Sequence, residues 1–226
     1  MENPINNRLL PAVKQGGFCR DDLFIWCGSV IKGEDGRFHM FASCWEKELG
    51  FGANWLFNSR VVRAVSDTPE GPFRLEETVL PRRGRQYFDG MNTHNPYIRY
   101  WNGKYYLYYM GTTYGCPVPT HMDQISSELF TEVWNKKRIG LAVSHSVFGP
   151  WERRNTPLLE PRDCSYWDCT ATTNPAVAIL EDGRTYMLYK SRSYANATLQ
   201  IGVAMAERPD GEFRRISEEP VLSFDN

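Results

Sequence analysis

Apolar and polar residues alternate in short runs along almost the whole chain, and Gly, Pro, Asp and Asn break the runs. Period-two alternation bounded by such residues predicts β-strands joined by tight turns. The runs also fall into tandem sets. GRFHMFAS from Gly36, GKYYLYYMG from Gly103 and GRTYMLYKS from Gly183 repeat one hairpin pattern. Each is followed by a strand of branched and small residues: RVVRAVS from Arg60, RIGLAVS from Arg138, QIGVAMA from Gln200. A turn with an aromatic comes next (DTPEGPF, HSVFGPW, ERPDGEF), and a polar strand ending in an apolar pair closes each set (RLEETVL, ERRNTPLL, RRISEEPVL).

Four short strands repeated in tandem describe a four-stranded antiparallel blade, which cannot cover its own faces and must stack on neighbours. Radial stacking also protects the sheet edges, so the expected class is all-β, a β-propeller. The chain reads as one propeller domain over 1–226, with blades at approximately 17–81, 90–160 and 169–226. WD-repeat propellers fit poorly: the only Trp-Asp pair, Trp167-Asp168, precedes an inner strand rather than ending one.

Gly36 to Gly71, Gly103 to Gly149 and Gly183 to Gly211 are 35, 46 and 28 residues apart. The flanking strands keep their lengths, so the extra residues fall between strands two and three of a blade. Those loops share one face with the inter-blade connections, where loop variation carries function. The longest insertion places Ile125, Leu129, Phe130, Val133 and Trp134 at helical spacing, predicting a short helix packed on its blade. Inner strands open at the same mouth as CRDDLFIW, NTHNPYI and TATTNPAV. The duplicated Asn-Pro thus marks two inner entrances, and Asp22-Leu23 is expected in the corresponding place of the first.

Composition narrows the class further. With 42% hydrophobic and 14% aromatic residues, the chain is too apolar for disorder and too interrupted for a membrane protein. It can bury roughly 70% or more of its unfolded surface in one core. A formal charge of −1 offers no electrostatic reason to expect nucleic acid or an anionic membrane. The six cysteines form no CxxC pair, and reduced, mostly buried thiols are expected. The start has no basic segment followed by an apolar one, which points to the cytoplasm, or to a periplasmic or secreted location if the chain was shortened there. No cofactor is expected; the four histidines form no metal set, and the residues leave a channel calcium open.

Inner strands opening on Asp-Pro or a variant, followed by GKYYLYY and IGLAVSHSVFGPW, resemble glycoside hydrolase family 43. Its relatives in families 32, 62, 68, 117 and 130 are five-bladed propellers too. The likeness runs from about residue 17 to the end, closest to the family-43-like group of sucrases and glycosidases. It implies cleavage of glycosidic bonds by carboxylates on opposite sides of a sugar. Position by position, the base would be Asp22. The helper's place falls on Asn174, which cannot ionise, so Asp168, six residues earlier, is expected to supply that carboxylate. The general acid would lie beyond Asn226, since Glu218 and Glu219 fall in an outer strand. By the same resemblance the chain would hold about three blades of five and expose an apolar side suited to self-association. A non-catalytic carbohydrate-binding propeller is the alternative reading, and a phosphorylase or anhydro-sugar hydrolase a third.

Sugar recognition uses flat aromatic faces for the C–H side of the ring and amides or charges for its hydroxyls. The mouth offers Trp45, Trp55, Tyr114, Trp167 and Tyr194, with His94, Asn95, His121, Asn174, Lys190 and Arg192 as polar partners. The expected partner is therefore a carbohydrate.

Overall fold

The computed structural model describes residue 11 and residues 13–194 and 198–223. Three antiparallel four-stranded sheets follow one another along the chain. The first joins β1 (Leu23–Lys32), β2 (Phe38–Glu46), β3 (Arg60–Ser66) and β4 (Arg74–Leu80) in sequential order. The second joins β5 (Asn92–Trp101), β6 (Lys104–Thr112), β7 (Arg138–Ser144) and β8 (Glu152–Arg153). The third joins β9 (Thr173–Ile179), β10 (Thr185–Ser191), β11 (Gln200–Ala206) and β12 (Arg214–Arg215). The structure is all-β, a set of propeller blades with few helices.

Burial along the second strand of each blade shows how the blades stack. Eight consecutive residues of β6, Tyr105 to Thr112, are buried, so both faces of the middle blade are covered. In β10 only every second residue is buried, leaving Leu188 exposed on the other face. Phe41, Val61 and Leu80 of the first blade pack on Ile98, Leu107 and Tyr109 of the second. Tyr106, Tyr108 and Leu141 then pack on Val177, Met187 and Tyr189 of the third. Full burial of side chains such as Ile98 and Leu107 contributes about 1.5–3 kcal/mol each. Directional bonds fix the stacking angle. The Tyr105 hydroxyl donates to Glu34 at 2.7 Å and the Tyr108 hydroxyl to the Pro209 carbonyl at 2.8 Å.

The repeated Thr-X-Asn-Pro and Thr-Thr-Asn-Pro passages join one blade to the next. The Thr93 hydroxyl donates to the Leu80 carbonyl at 3.0 Å, at the end of the preceding outer strand. The Thr172 hydroxyl does the same to the Leu159 carbonyl at 2.7 Å. Six residues before each Asn stands a buried aspartate. Asp89 accepts from the Tyr109 hydroxyl at 2.6 Å and from Arg83 Nε at 2.7 Å. Asp168 accepts from the Tyr189 hydroxyl at 2.7 Å and from Arg162 Nε at 2.6 Å. The second sheet leaves room for its aspartate only because residue 111 is glycine. A Cβ there would lie 2.2 Å from Asp89 Cβ and 2.8 Å from its Cα. Gly111→Ala is therefore expected to lower stability by about 1–3 kcal/mol, read as a lowered urea midpoint.

The predicted helix is α2, following α1 (Trp55–Asn58); it spans Ser127–Asn135, with Ser126 capping it by accepting from the Leu129 amide. Val133 and Trp134 turn inward and pack with Leu56, Phe57 and Tyr114. All six cysteines are free, but they are not mostly buried. Cys44 and Cys169 are buried, whereas Cys19, Cys27 and Cys164 are exposed because they sit on loops and on the uncovered side of β1. Among the described residues no helix is long and apolar enough to cross a membrane.

Candidate functional site

Each inner strand breaks register with its neighbour near its start. The shifts fall between Trp26 and Ser29, between His94 and Tyr97, and opposite Leu188 to Lys190 of the third blade. At each break one residue other than glycine takes a left-handed backbone: Cys27 at φ 49°, Asn95 at 49° and Asn174 at 52°. Asparagine tolerates this conformation because its short amide bonds locally, whereas cysteine has no such compensation. The counterpart of Asn-Pro in the first blade is thus Cys27-Gly28, not Asp22-Leu23. Counting from the strand start reaches Asp22, but β1 begins at Leu23, four residues ahead of its bulge. The Asp22 side chain is 60% exposed and held 2.8 Å from Arg20 Nε. A hydrogen bond from Arg20 keeps its carboxyl below the usual range.

The bulges and the longer loops converge on a cavity of about 240 Å³. Inner strands contribute Trp26, His94, Asn95, Thr173 and Asn174. The strand-two to strand-three region of each blade contributes the rest: Trp45, Phe51 and Trp55, then Trp134 and Lys137, then Lys190 and Leu199. Five of the predicted residues (Trp45, His94, Asn95, Asn174 and Lys190) meet there, and Trp55 of the wider mouth set joins them. Among the described residues no Asp or Glu lines this cavity. Four larger hollows, of about 820, 460, 420 and 370 Å³, are lined by none of the bulge residues Cys27, Asn95 and Asn174.

The polar lining is poised rather than saturated. Asn95 donates its backbone N–H to Ser43 Oγ at 2.8 Å, but its buried side-chain Oδ1 finds no hydrogen-bond partner among the described residues. Asn174 Oδ1 accepts from the Thr173 hydroxyl at 3.0 Å. Trp45 donates Nε1–H to the Gly50 carbonyl at 3.2 Å, fixing its indole plane. His94, only 3% exposed, lies 5.1 Å from the Trp55 ring, with Nδ1 2.7 Å from Ser59 Oγ. Burial first, and the Lys137 charge second, push its pKa down to about 3, so the ring is neutral.

Sequence alone does not single out Lys137. It lies in Asn135-Lys136-Lys137 at the end of α2, where a lysine pair looks like a solvated helix terminus. The structure buries it. Its Nζ is 3.3 Å from the Trp134 ring centroid and 5.5 Å from that of Trp55. Burial, then Arg192 and Lys190, hold its pKa well below the ordinary lysine value.

Besides Asp22, three predicted site residues lie elsewhere. Asp168 is fully buried and saturated by Arg162, Tyr189 and Arg215, the last at 2.5 Å. Its counterpart in the second blade, Asp89, binds an equivalent tyrosine and arginine, so Asp168 belongs to the repeated scaffold and not to the channel. Trp167 stacks on Tyr189 at 5.9 Å and donates Nε1–H to the Glu218 carbonyl, which commits it to its own blade. Arg192 sits 3.8 Å over the Trp134 ring, behind the cavity wall and not on it. Among the described residues no group of three or more His, Cys, Asp or Glu could hold a metal ion.

No protein-family profile and no curated protein matches the chain. Solved structures do. A family 117 glycoside hydrolase from the marine bacterium Zobellia galactanivorans superposes with a TM-score of 0.71 at 19% identity, over 92% of this chain and 60% of that one. A second glycoside hydrolase gives 0.69 at 15% identity, over 98% and 65%. An α-L-arabinofuranosidase from Lactobacillus brevis gives 0.55 at 11%, over 88% and 58%. The chain has their fold. These neighbours are five-bladed propellers, and the chain spans about 58–65% of their length.

Proposed function

We propose that the chain is a saccharide-binding unit of a glycosidase-like propeller, acting on oligo- or polysaccharides. The observation that carries this reading is the convergence of three blades on one aromatic-walled cavity with an unpartnered amide oxygen. Flat indole faces suit the C–H side of a pyranose, and Asn95, Asn174 and Lys190 suit its hydroxyls. A volume of about 240 Å³ is below the ~300–1,000 Å³ of sites for drug-sized ligands, and matches a single ring. Glycoside hydrolase neighbours support a glycosidase-like role in general terms.

Bond cleavage requires two carboxylates flanking the bond, and the described lining of this cavity has none. We therefore assign it binding, not acid–base chemistry. Calorimetry with a panel of monosaccharides and oligosaccharides, alongside an aryl-glycoside assay, tests both halves. Binding without turnover is expected; turnover by this chain would show that a carboxylate outside the cavity works. Trp26, half exposed on the cavity rim, gives a clean variant. Trp26→Ala should weaken saccharide binding about tenfold, equivalent to ~1.4 kcal/mol, with an unchanged melting temperature.

A further inference from the structure

We propose that the cavity selects a saccharide carrying an anionic substituent (a carboxylate, sulfate or phosphate group) and that Lys137 is the residue that reads it. This rests on the saccharide reading and names the class of sugar. Lys137 is 3% exposed and lines the cavity, yet it makes no ion pair among the described residues. Neither do its cationic neighbours Lys190 and Arg192, which both act electrostatically on it. Lys137 and Lys190 thus line one wall with Arg192 behind it, and no carboxylate stands on the described cavity lining.

A buried ammonium without a counter-charge is costly, and proteins normally pair it or neutralise it. The compensation here is the face of Trp134 and, further off, that of Trp55. The position is nevertheless tightly built. The Lys137 carbonyl accepts from the Thr172 amide at 3.2 Å and its amide donates to the Trp134 carbonyl at 3.3 Å, tying α2 to the third blade. The side chain is therefore held at the cavity by backbone bonds on two elements, where a sugar-borne anion would supply the missing charge. An aromatic cage with cations of one sign and no acid favours an anionic ligand over a neutral one of equal shape.

Isothermal calorimetry on the full chain with matched probes decides the matter: galactose, galacturonate, galactose 6-sulfate and galactose 6-phosphate, then the glucose series. At least one anionic sugar should bind about 10- to 100-fold tighter than its neutral parent, the range of one hydrogen bond to a charged group. Which of the three anions leads identifies the substituent. Lys137→Met, close in volume, should abolish that preference while raising the melting temperature, because a buried amine that lacks a counter-charge is replaced by an apolar chain. A merely structural lysine would lower the melting temperature on replacement and leave any preference intact. Lys190→Met should reduce the preference as well and serves as the second variant. Equal affinity for neutral and charged sugars overturns this inference while keeping the saccharide reading; no binding by any sugar overturns both.

Discussion

Asp168→Ala is expected to lower the melting temperature by about 6–20 °C. The carboxylate is fully buried, and it neutralises Arg162 and Arg215 while accepting from the Tyr189 hydroxyl. Removing one partner from a buried ionic cluster leaves charges uncompensated and costs about 3–5 kcal/mol. In a domain of this size each kcal/mol corresponds to roughly 2–4 °C. Asp89→Ala should behave in the same way, since Arg83, Arg153 and Tyr109 surround it equivalently. Asp22→Ala, removing an exposed pair with Arg20, should leave the melting curve unchanged. Differential scanning calorimetry on the three variants separates a scaffold role from a catalytic one. A stable Asp168→Ala protein would make that residue a catalytic candidate again.

The same cluster sets an acid limit. Burial alone would raise the Asp168 pKa, but hydrogen bonds from Arg162, Tyr189 and Arg215 outweigh it, and the net shift is downward from 3.8. A depressed carboxyl stabilises the fold at pH above its unfolded value. That contribution disappears as pH falls through the folded value. The loss from Asp168 thus begins only below about pH 4.

Much of this architecture is legible in the residues. The third strands of all three blades run over the residues that alternation and turn chemistry mark, Arg60–Ser66, Arg138–Ser144 and Gln200–Ala206. They are short, regular and bounded by charged or turn residues, so period alone suffices. The fourth strands shrink to Glu152–Arg153 and Arg214–Arg215 in the second and third blades, because pairing at an outer edge is not dictated by burial. The bulge position is not legible in the same way. A left-handed φ at Asn95 or Asn174 has a sequence signal, but at Cys27 it has none, and counting from the strand start then puts Asp22 in its place.

The scaffold role of Asp168 does have a signal. YFDGMNTHNP and YWDCTATTNP keep the Asp-to-Asn spacing at six residues, each with a tyrosine twenty or so residues later. A residue repeated with its partners in two blades is part of the repeat, whereas a site residue is more often particular to one. Lys137 shows the reverse case. Sequence presents it as the tail of an exposed helix, and only the return of the third blade's inner strand over it makes it buried. Burial of that kind is tertiary and leaves no local pattern.

His94 gives a large pH effect on the acid side of neutrality. In the unfolded chain its imidazole takes up a proton as pH falls below 6.5, while in the folded chain burial, and then the charge of Lys137, delay uptake to about pH 3. The unfolded state therefore binds more protons throughout that window, so stability present above pH 6.5 drains away as the solution is acidified. Each tenfold difference in proton affinity between the two states is worth about 1.4 kcal/mol, which makes the whole contribution on the order of 5 kcal/mol. Urea melts between pH 7 and pH 4.5 isolate it from Asp168, whose loss comes lower. The midpoint should fall steadily over this range, and His94→Gln, whose amide can still accept from Ser59, should flatten the slope. Lys137→Met removes one of the two causes, so the folded imidazole should take up its proton at higher pH and the window should shrink from its acidic end. An unchanged slope in His94→Gln would mean that the ring takes up its proton equally in the folded and unfolded chains, contrary to its packing between Trp45 and Trp55.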